Sequence, residues 1–375
     1  MSDDGAERQT ILIVDDDADV GYALSAGLER AGRRIIVCRD VESAQLVVER
    51  ERVTHVISDI KLTGSFRFEG LDFLEHARRH APAAHVILMS GDASPAVAEE
   101  ARQRGAVTLL RKPFDLDVLD ALLVEPGGSE KATLSNVPTL DEIIGSPELC
   151  PAFQAIVRLA DDSPFGFESL ARFHIPSVVQ PPDAMFAYAE RKRRVADLEL
   201  ACISRTMDEA KRLPRASHIF INIHPAALAD PRFSVSLEAA IEEHRIAPER
   251  IVFELTEQQP LRDEPRAFST IEQLRERGVR FAFDDVGVAY SHLPFIERIR
   301  PAYLKISNDF GTGFERESMR TKIVRNLVGL AGEFACEVVL EGIETRDTRD
   351  AAREMGIAFG QGYYFGRPMP AAEHA

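Results

Sequence analysis

The chain has 375 residues, with 45 Lys and Arg against 61 Asp and Glu, a formal net charge of −16, four Cys and no Trp. That length allows two or three domains, each with its own core. A hydrophobic fraction of 45% with 28% charged residues is ordinary globular composition, which excludes a fibrous or disordered chain. The acidic balance lacks the cationic excess that neutralises phosphates along a duplex, so a nucleic-acid polymer is not an expected partner. Cys38, Cys150, Cys202 and Cys336 form no CxxC pair, against a zinc knuckle or redox dithiol. The polar N-terminus lacks a signal-peptide pattern, and no stretch approaches the ~20 apolar residues that span a bilayer. A cytoplasmic protein without a membrane partner is expected.

Residues 9–124 alternate short apolar runs with helical patterns. Strands are expected at 10–14, 35–38, 55–58, 85–90 and 107–110, with helices at 21–31, 43–51, 71–80 and 95–104. This order predicts a parallel, doubly wound (flavodoxin-like) α/β domain. Asp15, Asp16 and Asp17 follow the first strand, Asp59 ends the third, Ser90 ends the fourth and Lys112 follows the fifth. In an open α/β sheet that edge is where ligands bind. Carboxylates converging there repel one another unless a hard cation joins them, and oxygen-only ligation suits Mg²⁺. A hydroxyl and an ammonium nearby suit an added phosphoryl group.

Residues 125–149 collect Gly, Pro and Ser at their start and read as a linker, with a short connecting helix over 139–149. From 150 to 370 a larger alternation follows. Strands are expected at 155–159, 166–172, 219–223, 251–255, 280–283, 303–306, 338–340 and 363–365, with helical patterns between them, the longest over 183–212. Seven or eight βα units over about 220 residues predict a TIM-like (β/α) barrel. The polar residues at its strand ends are Glu168, Asn222, Glu254, the Asp284-Asp285 pair, Lys305, Glu341 with Glu344, and Gln361. Carboxylates plus an amide, without thiols, favour Mg²⁺ or Mn²⁺. Adjacent aspartates suit a pair of ions about 3.5–4 Å apart, the arrangement that activates water for phosphoester hydrolysis.

Two resemblances follow from these motifs. Asp15-Asp16, Asp59, Ser90 and Lys112 resemble the receiver domain of two-component response regulators. The resemblance implies that Asp59 accepts a phosphoryl group from a cognate histidine kinase. Asp15, Asp16 and Asp59 would hold one Mg²⁺, and Ser90 and Lys112 would read the phosphorylated state. The ordered series Glu168-Ser169-Leu170-Ala171-Arg172, Asn222, Glu254-Leu255-Thr256-Glu257, Asp284-Asp285, Lys305-Ile306, Glu341-Gly342-Ile343-Glu344 and Gln361-Gly362-Tyr363 resembles EAL-domain phosphodiesterases. That family hydrolyses cyclic di-GMP to pGpG with two divalent ions on a barrel with one reversed strand.

By the same resemblance, Glu168, Asn222, Glu254 and Asp284 ligate one ion, and Asp284, Asp285 and Glu341 the other. Lys305 contacts the water between them, Glu341 is the candidate base, and Glu344 and Gln361 order neighbouring groups. Arg172 meets a substrate phosphate, and Glu257 tethers the loop after Asp285. A homo-oligomer is expected, with phosphorylation changing its geometry or loop order and so biasing activity.

The chain departs from both patterns. Thr63 stands where receivers commonly carry Pro, and Leu109 where the last strand usually has an aromatic. Val286, Val288 and Ala289 replace Phe, Thr and Gly of the usual loop, and Ser307 replaces an Asp. The altered 286–289 loop motivates an alternative: a cyclic-di-GMP receptor with negligible turnover.

Overall fold

The computed structural model describes residues 9–62, 69–91, 101–104, 106, 108–123, 133–173, 182–256, 265–287, 293–311 and 319–374. The chain divides into two compact units, Met1–Ser146 with His174–Arg193, and Pro147–Phe173 with Arg194–Ala375. No helix among the described residues is long and apolar enough to cross a membrane.

In the first unit the apolar runs fold as β1 (Gln9–Val14), β2 (Arg33–Cys38), β3 (His55–Asp59), β4 (His85–Ser90) and β5 (Thr108–Arg111). Strand β1 is buried along its whole length, as a parallel strand covered on both faces must be. Helix α1 (Ala18–Leu28) starts where the Asp17 carboxylate accepts the N–H groups of Asp19 and Val20. It then sets Leu24 and Leu28 against Ile11, Ile13, Ile35, Ile57 and Ile87. Helix α2 (Val41–Arg50) is capped likewise by Asp40, and α3 (Glu69–His80) follows β3.

The expected linker contributes structure that its composition does not announce. Residues 133–136 form β6 (Thr133–Asn136), which pairs in parallel with β2 and extends the sheet to the order β5-β4-β3-β1-β2-β6. The N–H and C=O groups of an edge strand need partners, and four residues suffice to supply them on β2. A capping box then starts the helix Leu140–Gly145, inside the expected connecting helix: Thr139 and Glu142 satisfy each other's backbone N–H groups.

The long helical pattern over 183–212 is broken. It forms helices Pro182–Arg191 and Val195–Glu209 and the short turn Ala210–Arg212, because Arg193 takes a left-handed φ of 55° that no helix continues through. The first of these helices belongs to the same unit as the six-stranded sheet. Its Ala184, Met185, Tyr188 and Ala189 are fully buried. The Tyr188 hydroxyl donates to Asp40 Oδ2 at 2.5 Å, and burial and that carboxylate push the phenol well above its usual range. Arg191 reaches Glu49 at 2.7 Å and Gln45 at 3.1 Å, and Arg50 reaches Asp183 at 2.8 Å.

The second unit is a closed barrel of β7 (Leu149–Arg158), β8 (Pro164–Phe173), β9 (His218–Asn222), β10 (Ile251–Thr256), β11 (Arg280–Val286), β12 (Tyr303–Ile306), β13 (Glu337–Leu340) and β14 (Phe359–Gln361). Strand β7 runs antiparallel to both β8 and β14, and the other pairs are parallel. Each strand contributes one side chain to a single apolar cluster: Ile156, Phe165, Phe220, Val252, Ala282, Tyr303, Val339 and Phe359. The interior is thus a packed core, and chemistry is confined to the strand ends. The expected last strand at 363–365 is corrected to β14. At Gly362 the chain passes so close to Ile343 that a Cβ would lie 2.2 Å from its carbonyl oxygen, and residues 363–365 form a turn.

One buried acid makes barrel stability depend on pH. Glu199, on helix Val195–Glu209, is 3% exposed and accepts the His224 N–H at 2.6 Å. Burial pushes its carboxyl from 4.5 up to about 8, against the lowering effect of that hydrogen bond. Below 4.5 the folded and unfolded chains both hold the proton. As pH rises toward 8 the unfolded chain releases it first, so stability falls by about 4–5 kcal/mol across that window. Denaturant unfolding at a series of pH values should show Glu199→Gln removing this slope. Parallel profiles for the variant and wild type would contradict it.

Candidate functional site

The C-terminal ends of the barrel strands gather nearly all the polar residues singled out above. Lys305, on β12, is fully buried. Its Nζ lies 2.8 Å from Glu254 Oε1, 2.9 Å from Glu341 Oε1, 3.0 Å from Asp284 Oδ1 and 3.3 Å from Glu168 Oε2. Glu168 is held from two further sides: Gln361 Nε2 donates to Oε2 at 2.6 Å, and Asn222 Nδ2 to Oε1 at 3.1 Å. Register explains the convergence, since Glu254 sits beside Asn222 in the β9–β10 pair and Asp284 beside Thr256 in β10–β11.

Four carboxylates around one ammonium leave an excess of negative charge in a water-poor site. Burial pushes Glu254, Asp284 and Glu341 upward, Glu341 to about 8, and the neighbouring carboxylates add to the effect while Lys305 opposes it. Burial also acts on Glu168, but the Lys305 charge and the hydrogen bonds from Gln361, Lys305 and Asn222 outweigh it and hold that carboxyl low. Lys305 is driven the other way. Its burial disfavours the charge, yet the surrounding carboxylates raise it well above the usual lysine range.

A hard divalent cation fits this donor set. One oxygen from each of Glu168, Glu254 and Asp284 lies within 4.8 Å of the others. Glu254 Oε2 is buried without a partner, Glu254 Oε1 and Asp284 Oδ1 are buried with only the Lys305 ammonium beside them, and every candidate ligand atom is oxygen. Asp284 and Asp285 would point to opposite faces of a regular strand. The β11–β12 register shifts between Phe283 and Val286, and Asp285 takes a φ of 56°, which together break the alternation at the paired carboxylates. Val286 is buried in place of the larger aromatic. Gly287 follows at φ 107°, where a Cβ would meet the Phe310 ring at 2.7 Å.

A cavity of about 340 Å³ opens beside this cluster, lined by Glu168, Glu341, Glu344, Gln361, Asn308 and Tyr363 among others. Glu344 is exposed at its margin. Arg172 lies four residues beyond Glu168 on β8, hence on the same face of the strand, and donates to the Ala171 carbonyl at 3.0 Å. Sequence reasoning missed Gln154, on the reversed strand β7. It is buried, accepts Gln361 Nε2 at 3.0 Å and donates to the Gly366 carbonyl at 3.1 Å, so it orients the amide that holds Glu168. A single amide within the apolar run Phe153-Gln154-Ala155-Ile156 was the available signal. Thr63, Glu257, Val288 and Ala289 lie outside the described residues.

At the edge of the six-stranded sheet, Lys112 Nζ bridges Asp15 Oδ2 at 2.9 Å and Asp59 Oδ2 at 2.6 Å. Asp15 is 1% exposed, and its burial raises its carboxyl despite Lys112. Asp16 is exposed beside it, its carboxyl also raised by desolvation. Desolvation works against the Lys112 charge, but hydrogen bonds to Asp59 and Asp15 raise it on balance. Ser90 is buried at the end of β4, and its carbonyl accepts the Lys112 N–H at 2.8 Å. Leu109, opposite Leu88, is half-buried.

A barrel with one reversed strand, carrying this carboxylate ring in this order, is the EAL architecture. The EAL domain model matches residues 139–368, more than half the chain, and the chain belongs to the EAL domain family. Residues 11–124 match the response regulator receiver domain. Among curated proteins the chain is similar to cyclic di-GMP phosphodiesterase RocR of Pseudomonas aeruginosa, 25% identical over 355 residues and 90% of either chain. Among solved structures it is similar to the PaMucR phosphodiesterase in complex with c-di-GMP. That match is 25% identical, with a TM-score of 0.57 over 63% of this chain and 98% of that one. The manganese and cyclic di-GMP complex of Klebsiella pneumoniae BlrP1 is also 25% identical, with a TM-score of 0.54 over 63% of this chain and 58% of that one.

Proposed function

We propose that the chain is a response regulator whose barrel hydrolyses cyclic di-GMP to pGpG. The observation that carries this reading is the ring of Glu168, Glu254, Asp284 and Glu341 around the fully buried Lys305. Two divalent ions, Mg²⁺ or Mn²⁺, would supply an activated water and stabilise the attacking and leaving oxygens. Glu168, Asn222, Glu254 and Asp284 would hold one, and Asp284, Asp285 and Glu341 the other. The chain's own groups do the rest. Lys305 orients the attacking water, Glu341 takes its proton, and Gln361 and Glu344 order the groups around them. Arg172 meets a phosphate with its planar fork, and Glu257 tethers the loop after Asp285. The RocR similarity and the two cyclic-di-GMP complexes support this substrate.

The replacement of an aromatic by Val286 in the loop after the aspartate pair favours a second reading, a receptor that binds cyclic di-GMP without turning it over. Chromatography of a metal-containing incubation separates the two. Product that vanishes on chelation supports the enzyme, and bound but intact substrate supports the receptor.

On the receiver, Asp59 would accept a phosphoryl group from a cognate histidine kinase, with one Mg²⁺ held by Asp15, Asp16 and Asp59, in a homo-oligomeric cytoplasmic protein. Ser90 and Lys112 would register the added group, Lys112 exchanging its present carboxylate contacts for phosphoryl oxygens. Chain continuity supports coupling to the barrel: β8, which carries Glu168, leads through residues 174–181 to the helix packed in the receiver's unit. Beryllofluoride is therefore expected to change turnover of the wild type and to leave Asp59→Asn unaffected. Equal responses in the two proteins would remove Asp59 from the proposal.

A further inference from the structure

The face of the receiver formed by α2 and α3 carries a cluster that neither carboxylate pocket uses. Glu49 projects from the end of α2, while His76 and His80 stand one turn apart on α3, where residues at i and i+4 share a face. Their ligand atoms lie within 4.8 Å of one another. His76 Nε2 is 2.9 Å from Glu49 Oε1, yet it is buried and makes no aligned hydrogen bond. The two imidazoles stack with centroids 4.2 Å apart.

We propose that Glu49, His76 and His80 form a site for a divalent transition ion of the Zn²⁺ class, distinct from the oxygen-only pockets. Two arguments carry it. First, His80 Nδ1 lies 3.1 Å from the His76 carbonyl, which accepts only from an N–H. In the neutral ring this contact places the proton on Nδ1 and leaves the lone pair on Nε2, and a backbone carbonyl behind a ligating imidazole is the arrangement that orients metal-bound histidines. Second, Glu49 divides its two oxygens. Oε2 receives Arg191 at 2.7 Å, and Oε1 is turned toward His76.

Small rotations of the exposed side chains bring such a set to metal distances of about 2.0–2.2 Å, with the remaining positions left to water. Imidazole selects Zn²⁺, Cu²⁺ or Ni²⁺ over the Mg²⁺ that suits both acidic pockets. A bound ion would tie α2 to α3. Through Glu49 it would also brace Arg191 and the helix Pro182–Arg191.

The test is calorimetric titration of Zn²⁺ into the full-length protein kept saturated with Mg²⁺, comparing wild type, His76→Ala and His80→Ala. Both substitutions lie outside the apolar core and are checked for an unchanged circular dichroism spectrum. Wild type is expected to take up one more equivalent of Zn²⁺ than either variant. The His76 and His80 imidazole resonances of ¹³C-labelled protein should shift before any other histidine. Equal Zn²⁺ uptake by all three proteins, or Zn²⁺ uptake with both resonances unmoved, would overturn the site.

Discussion

Glu168→Ala is expected to lower cyclic-di-GMP hydrolysis by more than about 100-fold, since removing even an indirect partner of a metal ligand typically costs 10–100-fold. Glu168 has three dependants: Lys305, Gln361 and Asn222 all lose a buried carboxylate partner when it goes. The accompanying loss of stability is limited to about 1–3 kcal/mol, because Lys305 keeps three carboxylates, Gln361 keeps Gln154 and Asn222 is exposed. Glu168→Gln separates the two effects, because it keeps the volume and an oxygen while removing the charge a cation requires. Activity should collapse in both variants, with the Gln protein closer to wild type in denaturant unfolding. Turnover by Glu168→Gln within about tenfold of wild type would exclude Glu168 as a ligand.

Lys305→Met should have the largest effect on the barrel itself. Without metal, Lys305 is the cation that holds three buried carboxylates and the half-buried Glu341 together, at 2.8–3.3 Å. Breaking a buried charge cluster by removing one partner costs about 3–5 kcal/mol, so unfolding of the variant in chelator should shift by that amount. A divalent ion supplies the missing positive charge. Mg²⁺ or Mn²⁺ is therefore expected to stabilise Lys305→Met more than wild type, by mass action on the folded state, while hydrolysis stays abolished if Lys305 orients the attacking water as proposed. Equal stabilisation of the two proteins by metal would mean that lysine and metal do not share the pocket.

Most of the fold, and the strand-end placement of the candidate site residues, were legible in the sequence for a common reason. A parallel strand covered on both faces must be a continuous apolar run, and it ends abruptly in a polar residue where the sheet meets solvent. Asp59, Ser90, Asn222, Glu254 and Asp284 all stand at such endings. What escaped depends on contacts distant in sequence. Gln154 lies on the one strand whose direction is reversed, so it reaches the pocket from within an apolar run. Strand β6 has only four residues and exists because β2 presents an open edge. The break at Arg193 is a single left-handed residue between two stretches that each favour helix. The i, i+4 spacing of His76 and His80 is visible in the sequence, but Glu49 joins them only once α2 packs beside α3.

The carboxylate ring around Lys305 is proposed as a metal-dependent phosphodiesterase site. The most direct test incubates purified wild-type protein with cyclic di-GMP and Mg²⁺ or Mn²⁺ and resolves the products by chromatography. Steady accumulation of pGpG is expected, stopping when the metal is chelated and resuming when it is restored. Cyclic di-GMP recovered intact from metal-replete protein that binds it would rule out the phosphodiesterase reading.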